Sequence, residues 1–166
     1  MKTLLNSLSS ANSQQSTPDN PVNRLVFIDG NVPDYGHLTE KLPANTEVIL
    51  LNTESDGIEA ITQVLEQRQN LHSIHLLSHG SPGNLYLGNT ELNRNNLENY
   101  ATKIERWQKA LADKANLFLY GCRVAAGTIG EAFVTQLSQL IKVNIAASET
   151  LTGNQGLGGN WNLEFT

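Results

Sequence analysis

Two residues of this sequence, His79 and Cys122, are of the types that cooperate in thiol-based acyl transfer. His79 follows an apolar run at residues 71–78, and Cys122 follows a second apolar run at residues 116–121. A free thiol ionises near pH 8.5, so at neutral pH it needs a neighbouring base such as an imidazole to become a nucleophile. The same imidazole can later protonate the leaving amine. The pattern predicts a Cys–His dyad, with the N–H groups of Gly80 and Cys122 as oxyanion donors.

Such a dyad requires two neighbouring parallel strands, because both side chains must then leave the same edge of one sheet. The segment between the two runs is long enough for a helix, which is the connection that parallel neighbours need. The carboxyl ends of such strands lie about 5 Å apart, and ligands of open parallel sheets bind there. Asp29 and residues 148–150 also follow predicted strands, so we expect four reactive or polar positions on one rim.

The order of apolar runs and helical patterns predicts an α/β fold with a mostly parallel central sheet and helices on both faces. Strands are expected at residues 24–28, 46–51, 73–78, 117–120, 143–147 and 161–165. A small β-hairpin turning at Gly88 and Asn89 is expected after the third strand.

Three helices are expected between these strands. The first begins near Asp56, and the second is capped by Asn95 or Asn96 and carries an apolar stripe that extends to Leu111. The third has the spacing of a capping box at Thr128 and is expected to turn Ile129 inward.

Composition limits the classes of protein and site. Residues 1–22 are rich in Ser, Asn and Gln and predict a disordered leader, which leaves residues 23–166 as the folded domain. A net charge of −5 without a basic cluster argues against a nucleic-acid partner. The single cysteine excludes an internal disulfide and a Cys-rich zinc site. No apolar run reaches the length of a membrane span, and no secretory signal peptide is recognisable.

The same residues have simpler interpretations, which the sequence leaves open. A lone cysteine after an apolar strand is often a small buried hydrophobe, and the segment after His79 could be an ordinary turn. His75 and His79 share one side of a strand and could bind zinc together with Cys122 or Asp29. The composition indicates no cofactor, and the dyad hypothesis itself requires no metal.

An apolar strand ending in His-Gly, followed by one ending in a small residue and Cys, resembles the caspase–gingipain–separase superfamily of cysteine peptidases, clan CD. The His-Gly and Gly-Cys blocks are also similar to those of its CHAT branch. Over residues 24–165 the chain is similar to an uncharacterised caspase-like domain of very large bacterial surface or adhesin-type proteins. The blocks that carry this similarity are residues 25–29, 78–83, 120–127 and 158–164.

The resemblance implies a caspase-like three-layer sandwich and a cysteine endopeptidase with His79 as base, Cys122 as nucleophile and Gly80 in the oxyanion hole. Its substrate would be a polypeptide, such as the parent chain or a partner, in a secreted or cell-surface bacterial system. A pocket for the P1 side chain would lie beside the strand that ends at Cys122. Its acidic candidates are Asp29, Asp56 and Glu149, which would favour Arg or Lys; relatives often carry the acid at the position of Thr150. The alternative is a non-catalytic adhesion or assembly module with the same fold.

Overall fold

The computed structural model describes residues 21–153 and 158–166 and contains eight strands among them. The strands are β1 Arg24–Asp29, β2 Thr46–Leu51, β3 Leu71–Leu77, β4 His79–Ser81, β5 Asn84–Leu87, β6 Thr90–Asn93, β7 Leu111–Tyr120 and β8 Asn144–Ala147. The helices are α1 Gly36–Thr39, α2 Gly57–Leu65, α3 Leu97–Glu105 and α4 Gly127–Ile141, with a 3-10 helix at Arg106–Ala110.

Five of the strands form a parallel central sheet in the order β2-β1-β3-β7-β8. The predicted α/β fold with a mostly parallel sheet is therefore confirmed. β3 and β7 are neighbours, and Leu77 pairs with Tyr120 at their carboxyl ends. Because His79 and Cys122 each lie two residues beyond this pair, both follow the sheet at the same level.

One face of the sheet is covered by the three longer helices. Alternate strand residues such as Leu25, Phe27 and Leu119 point to this face and are fully buried. They belong to one large apolar cluster with residues of α2, α3 and α4, including Ile61, Ile104 and the fully buried Phe133. Every second residue of each strand contributes to this core. A one-residue slip of a strand's register would therefore expose these apolar side chains.

The opposite face has a much thinner cover. Val26, Ile28 and Leu77 form a second apolar cluster there, packed against side chains of residues 32–42 that include Leu38 of α1. This short helix has no buried residue, whereas α2, α3 and α4 all do. The two helical layers are therefore unequal.

Immediately after β3, three short strands form a separate antiparallel sheet in the order β4-β5-β6. The sequence had predicted only a hairpin in this region. Leu85, Leu87 and Leu92 from this small sheet enter the large core. His79 and Gly80 belong to β4, so the small sheet fixes the backbone at the predicted base.

Several predicted details of the helices were wrong. Leu111 is the first residue of β7 and pairs with Leu71, because the strand begins six residues before the predicted start at residue 117. Ile129 is 65% exposed and does not face the core. No side-chain cap is present at α4, because Thr128 lies inside the helix and Ala126 holds the N-cap position.

The structure describes residues 161–165, and the strand predicted there is also wrong. Only isolated bridges occur there, between Ala147 and Phe165 and between Thr152 and Asn160. The predicted leader lies outside the described residues except for Pro21 and Val22. No helix within residues 21–153 and 158–166 is both long and apolar enough to cross a bilayer.

Candidate functional site

The backbones that carry His79 and Cys122 are in direct contact at the carboxyl edge of the sheet. A Cβ atom placed on Gly80 would lie 3.0 Å from the carbonyl oxygen of Cys122 and 3.1 Å from its nitrogen. Such distances are tighter than most Cβ contacts, so a glycine permits this approach without a shift of the neighbouring backbone. The predicted proximity of the two strand ends is therefore present in the backbone.

The imidazole of His79 is oriented by a loop that follows β1. Its Nε2 atom lies 3.0 Å from the carbonyl oxygen of Asn31. A carbonyl oxygen can only accept a hydrogen bond, so Nε2 carries the proton. In the neutral ring, Nδ1 then holds the lone pair and is the nitrogen able to accept a proton.

Asp29 holds the loop that positions Asn31. Its side chain is 1% exposed, and one oxygen accepts hydrogen bonds from the Asn31 backbone N–H at 2.8 Å and from the Asn31 amide at 2.9 Å. The other oxygen accepts the N–H of Gly88, at the turn between β5 and β6. A buried carboxylate thus connects the end of β1, the small sheet and the partner of His79.

The sulfur of Cys122 is bonded to a different part of the chain. The N–H of Thr152 donates to Sγ at 3.4 Å, and the thiol is 3.5 Å from the carbonyl oxygen of Thr152. Among the hydrogen bonds of the described residues, none joins His79 to Cys122. The side chain is partly buried and the thiol is free. The two residues lie on one rim, but each side chain has its own backbone partner.

The loop that begins with Cys122 is bonded to the segment after β8. Arg123 donates its N–H to the carbonyl of Thr150 at 2.8 Å, and Ala125 donates to the carbonyl of Ser148 at 2.9 Å. The N–H of Cys122 has no such acceptor among residues 21–153 and 158–166. A ligand oxygen could therefore accept this N–H without replacing a backbone acceptor of those residues.

Glu164 fixes the same segment from the far end of the chain. Its carboxylate accepts the N–H of Glu149 at 2.9 Å and the hydroxyl of Thr150 at 2.7 Å. The backbone hydrogen bond from Glu149 is the main reason that the pKa of Glu164 is lowered. This carboxylate is exposed, in contrast to that of Asp29.

The three predicted pocket acids have different surroundings. Asp29 is buried with both oxygens bonded, as described above. Asp56 is the N-cap of α2, accepting the N–H groups of Ile58 and Glu59, and its second oxygen accepts the hydroxyl of Tyr100. Glu149 is exposed on the rim. Of the three, only Glu149 has a carboxylate without a hydrogen-bond partner among the described residues.

The alternative zinc ligands do not converge. The ring of His75 stacks on Phe118, with 4.6 Å between centroids, and its Nε2 atom lies 3.1 Å from the hydroxyl of Ser73. His79 instead faces Asn31. No group of three His, Cys, Asp or Glu side chains suited to a metal occurs in the described part of the chain.

Asn31, Thr152 and Glu164 were not singled out by the sequence analysis. Asn31 and Thr152 act through backbone groups, which carry no residue-type signal. Glu164 lies within one of the blocks that supported the family resemblance, but nothing in its neighbours indicates its contact with Thr150. The short polar segment after Asp29 is the only local indication of a loop at Asn31.

The sequence was also compared with known proteins. Residues 25–166 match a family that is described as a domain of unknown function, DUF4347. No curated protein matches the chain. The matched region contains every element of the fold except the first residue of β1, and it includes both His79 and Cys122. The chain belongs to the DUF4347 family.

Proposed function

We propose that this domain is a cysteine endopeptidase in which Cys122 is the nucleophile and His79 the base. The observation that carries the proposal is the placement of the two residues at one level of adjacent parallel strands, with their backbones in contact. The bond from Nε2 to Asn31 supports the same roles, because it leaves Nδ1 as the basic nitrogen. A caspase-like fold is part of this proposal.

The reaction would proceed in two stages. His79 Nδ1 takes the thiol proton as Sγ attacks the carbonyl carbon, and the resulting oxyanion is stabilised by the N–H groups of Cys122 and Gly80. The C–N bond then breaks, and the imidazolium protonates the departing amine. Water hydrolyses the thioester, with His79 as base, and regenerates the thiol. No metal takes part.

The contact between Cys122 and Thr152 must open for this reaction, because the substrate carbonyl needs the space beside Sγ. The proposed resting state is therefore one in which the segment after β8 lies against the nucleophile. Glu149 and Glu164 are the rim acids closest in sequence and bonding to this segment, and they would favour a substrate with Arg or Lys at P1. The substrate would be a polypeptide, for example the parent chain or a partner of a surface protein.

A non-catalytic binding module is the second candidate. The observation that favours it is the absence of a His79–Cys122 hydrogen bond among the described residues, since each side chain is satisfied elsewhere. The same fold would then serve adhesion or assembly.

Alkylation of Cys122 by iodoacetamide distinguishes the two candidates. We expect the thiol of the folded chain to react at pH 7, and at least about tenfold more slowly in His79→Ala, since general-base assistance is worth this much or more. His72→Ala is the matched control, because His72 on β3 is an exposed histidine like His79. Equal rates in His79→Ala and the parent, or labelling only after unfolding, would support the binding module instead.

A further inference from the structure

A cavity of about 330 Å³ lies on the thinly covered face of the central sheet. Its floor includes Val26, Ile28 and Leu77, and α1 forms one wall through Leu38. Tyr120 and Trp161 form the other side, with 6.2 Å between their ring centroids. The volume and the mostly apolar lining are those of a site for a small organic molecule.

One end of this cavity carries a guanidinium without a carboxylate partner. Arg24 lines it, and no salt bridge of the described residues involves Arg24. Among the same residues, its Nε atom is buried without a hydrogen-bond partner. A partly buried cation of this kind is stabilised by an anion, so Arg24 points to a ligand that carries one.

Arg24 also supplies the charge of the cavity. Burial lowers the pKa of His75 to about 4, with a further contribution from the charge of Arg24, so His75 is neutral at pH 7. Burial raises the pKa of Tyr120, which is also neutral. Of the described residues that line the cavity, Arg24 alone is charged at pH 7. The site therefore combines one cation with apolar and aromatic walls.

We propose that this cavity binds an apolar carboxylate, with the carboxylate on Arg24 and the hydrocarbon directed towards Ile28, Leu77 and Trp161. Four residue steps separate Arg24 from Ile28 on β1, which is about 13 Å along the strand. An alkyl carboxylate of medium length spans this distance. The cavity lies on the sheet face and does not use the dyad, so this inference is independent of the proposed peptidase activity.

The test is a titration of the full chain with decanoate, followed by tryptophan fluorescence. Trp161 is 44% exposed and lines the cavity, whereas Trp107 is 2% exposed and lies in the other core. We expect a saturable change of emission that is lost in Trp161→Phe. In Arg24→Gln the affinity should fall by about tenfold or more, because a charge-assisted hydrogen bond is removed. Arg24→Lys should retain part of the affinity.

The controls separate this site from general apolar binding. Arg106→Gln makes the same change at an exposed arginine on the helical side and should leave the affinity unchanged. 1-Decanol has the same chain without the charge and should bind more weakly. Equal binding of decanol, unchanged affinity in Arg24→Gln, or no saturable signal would each overturn the proposal. Thermal melts of each variant show whether Arg24→Gln is folded, and Thr39→Trp, which fills the cavity from α1, should abolish binding with Arg24 intact.

Discussion

The rim has two halves, the loop that orients His79 and the segment that contacts Cys122. A buried carboxylate holds the first half, and an exposed carboxylate holds the second. Asp29 is buried and holds the loop whose carbonyl orients His79. Glu164 is exposed and holds the segment whose backbone bonds the thiol of Cys122. Buried hydrogen bonds to a charge are strong and expensive to break, whereas exposed ones contribute little. The half that orients His79 is therefore expected to be rigid, and the half that covers Cys122 is expected to open at low cost.

The largest effect is expected from removing the buried carboxylate. Asp29→Ala leaves three donors without an acceptor, on Asn31 and Gly88, and should lower the free energy of unfolding by about 3 kcal/mol or more. Urea unfolding measures this. Asp29→Asn keeps the volume and one acceptor oxygen and should cost less. A loss below about 1 kcal/mol in Asp29→Ala would contradict the rigid half of the comparison.

His75 also contributes to the pH dependence of the free energy of unfolding. Its contribution must be removed before a pH titration can compare the two carboxylates. His75 has its pKa lowered to about 4 from 6.5, so the unfolded chain binds more protons between these values. The burial of the neutral His75 ring contributes its full share of stability above pH 6.5. Up to about 3 kcal/mol of unfolding free energy is lost as the pH falls from 6.5 through 4. His75→Phe keeps a ring against Phe118 and should flatten the profile between pH 6.5 and 4. His72→Gln, at an exposed position, should not flatten the profile. Unfolding curves of both variants at pH 7, 5.5 and 4.5 measure the difference.

A third test acts on the contact between the two halves. Gly80→Ala forces a Cβ to within 3.0 Å of the backbone at Cys122, and backbone cannot yield as a side chain does. We expect a loss of about 1–3 kcal/mol in unfolding free energy and slower alkylation of Cys122. Gly121→Ala is the matched control, because its nearest atom is the Cδ2 of Leu85 at 3.2 Å, the end of a side chain. Equal losses in the two variants would show that the contact is not specific.

Glu164→Ala is expected to have the smallest effect on stability and to increase the reactivity of Cys122. It removes an exposed acceptor, so unfolding free energy should change by less than about 1 kcal/mol. Cys122 should be alkylated faster, because the segment around Thr152 is released. Because the pKa of Glu164 is lowered, the carboxylate stays ionised through the pH range in which an ordinary Glu titrates. The charged acceptor is lost only as the pH falls below that range. Slower alkylation in this variant would show that the segment activates the thiol.

The positions of the two strand ends could be read from the sequence, whereas their side-chain partners could not. Apolar runs and a helix-length connection determine that β3 and β7 are parallel neighbours, so the level of His79 and Cys122 follows from counting residues. The contact with Thr152 depends on the backbone path of the residues that follow β8, and no periodic pattern encodes that path. Asp56 has the type of a pocket acid, but an acid before a helix is equally suited to its cap.

The early start of β7 escaped prediction for a similar reason. Residues 111–116 are mixed in polarity, and they become a strand only because Leu111 has Leu71 beside it. Tertiary pairing, which no local propensity contains, decides such a segment.

The two halves of the rim are also completed at different times during synthesis, because their residues lie far apart in the sequence. The His79 half is complete once Gly88 has been synthesised, but the Thr152 and Glu164 contacts need roughly 75 further residues. At ribosomal rates of about 5–20 residues per second, this is a delay of roughly 4–15 s. A nascent chain would thus have His79 in place before Cys122 is synthesised and before the segment that covers Cys122 exists. The last contacts to form would therefore be those that restrain the thiol of Cys122.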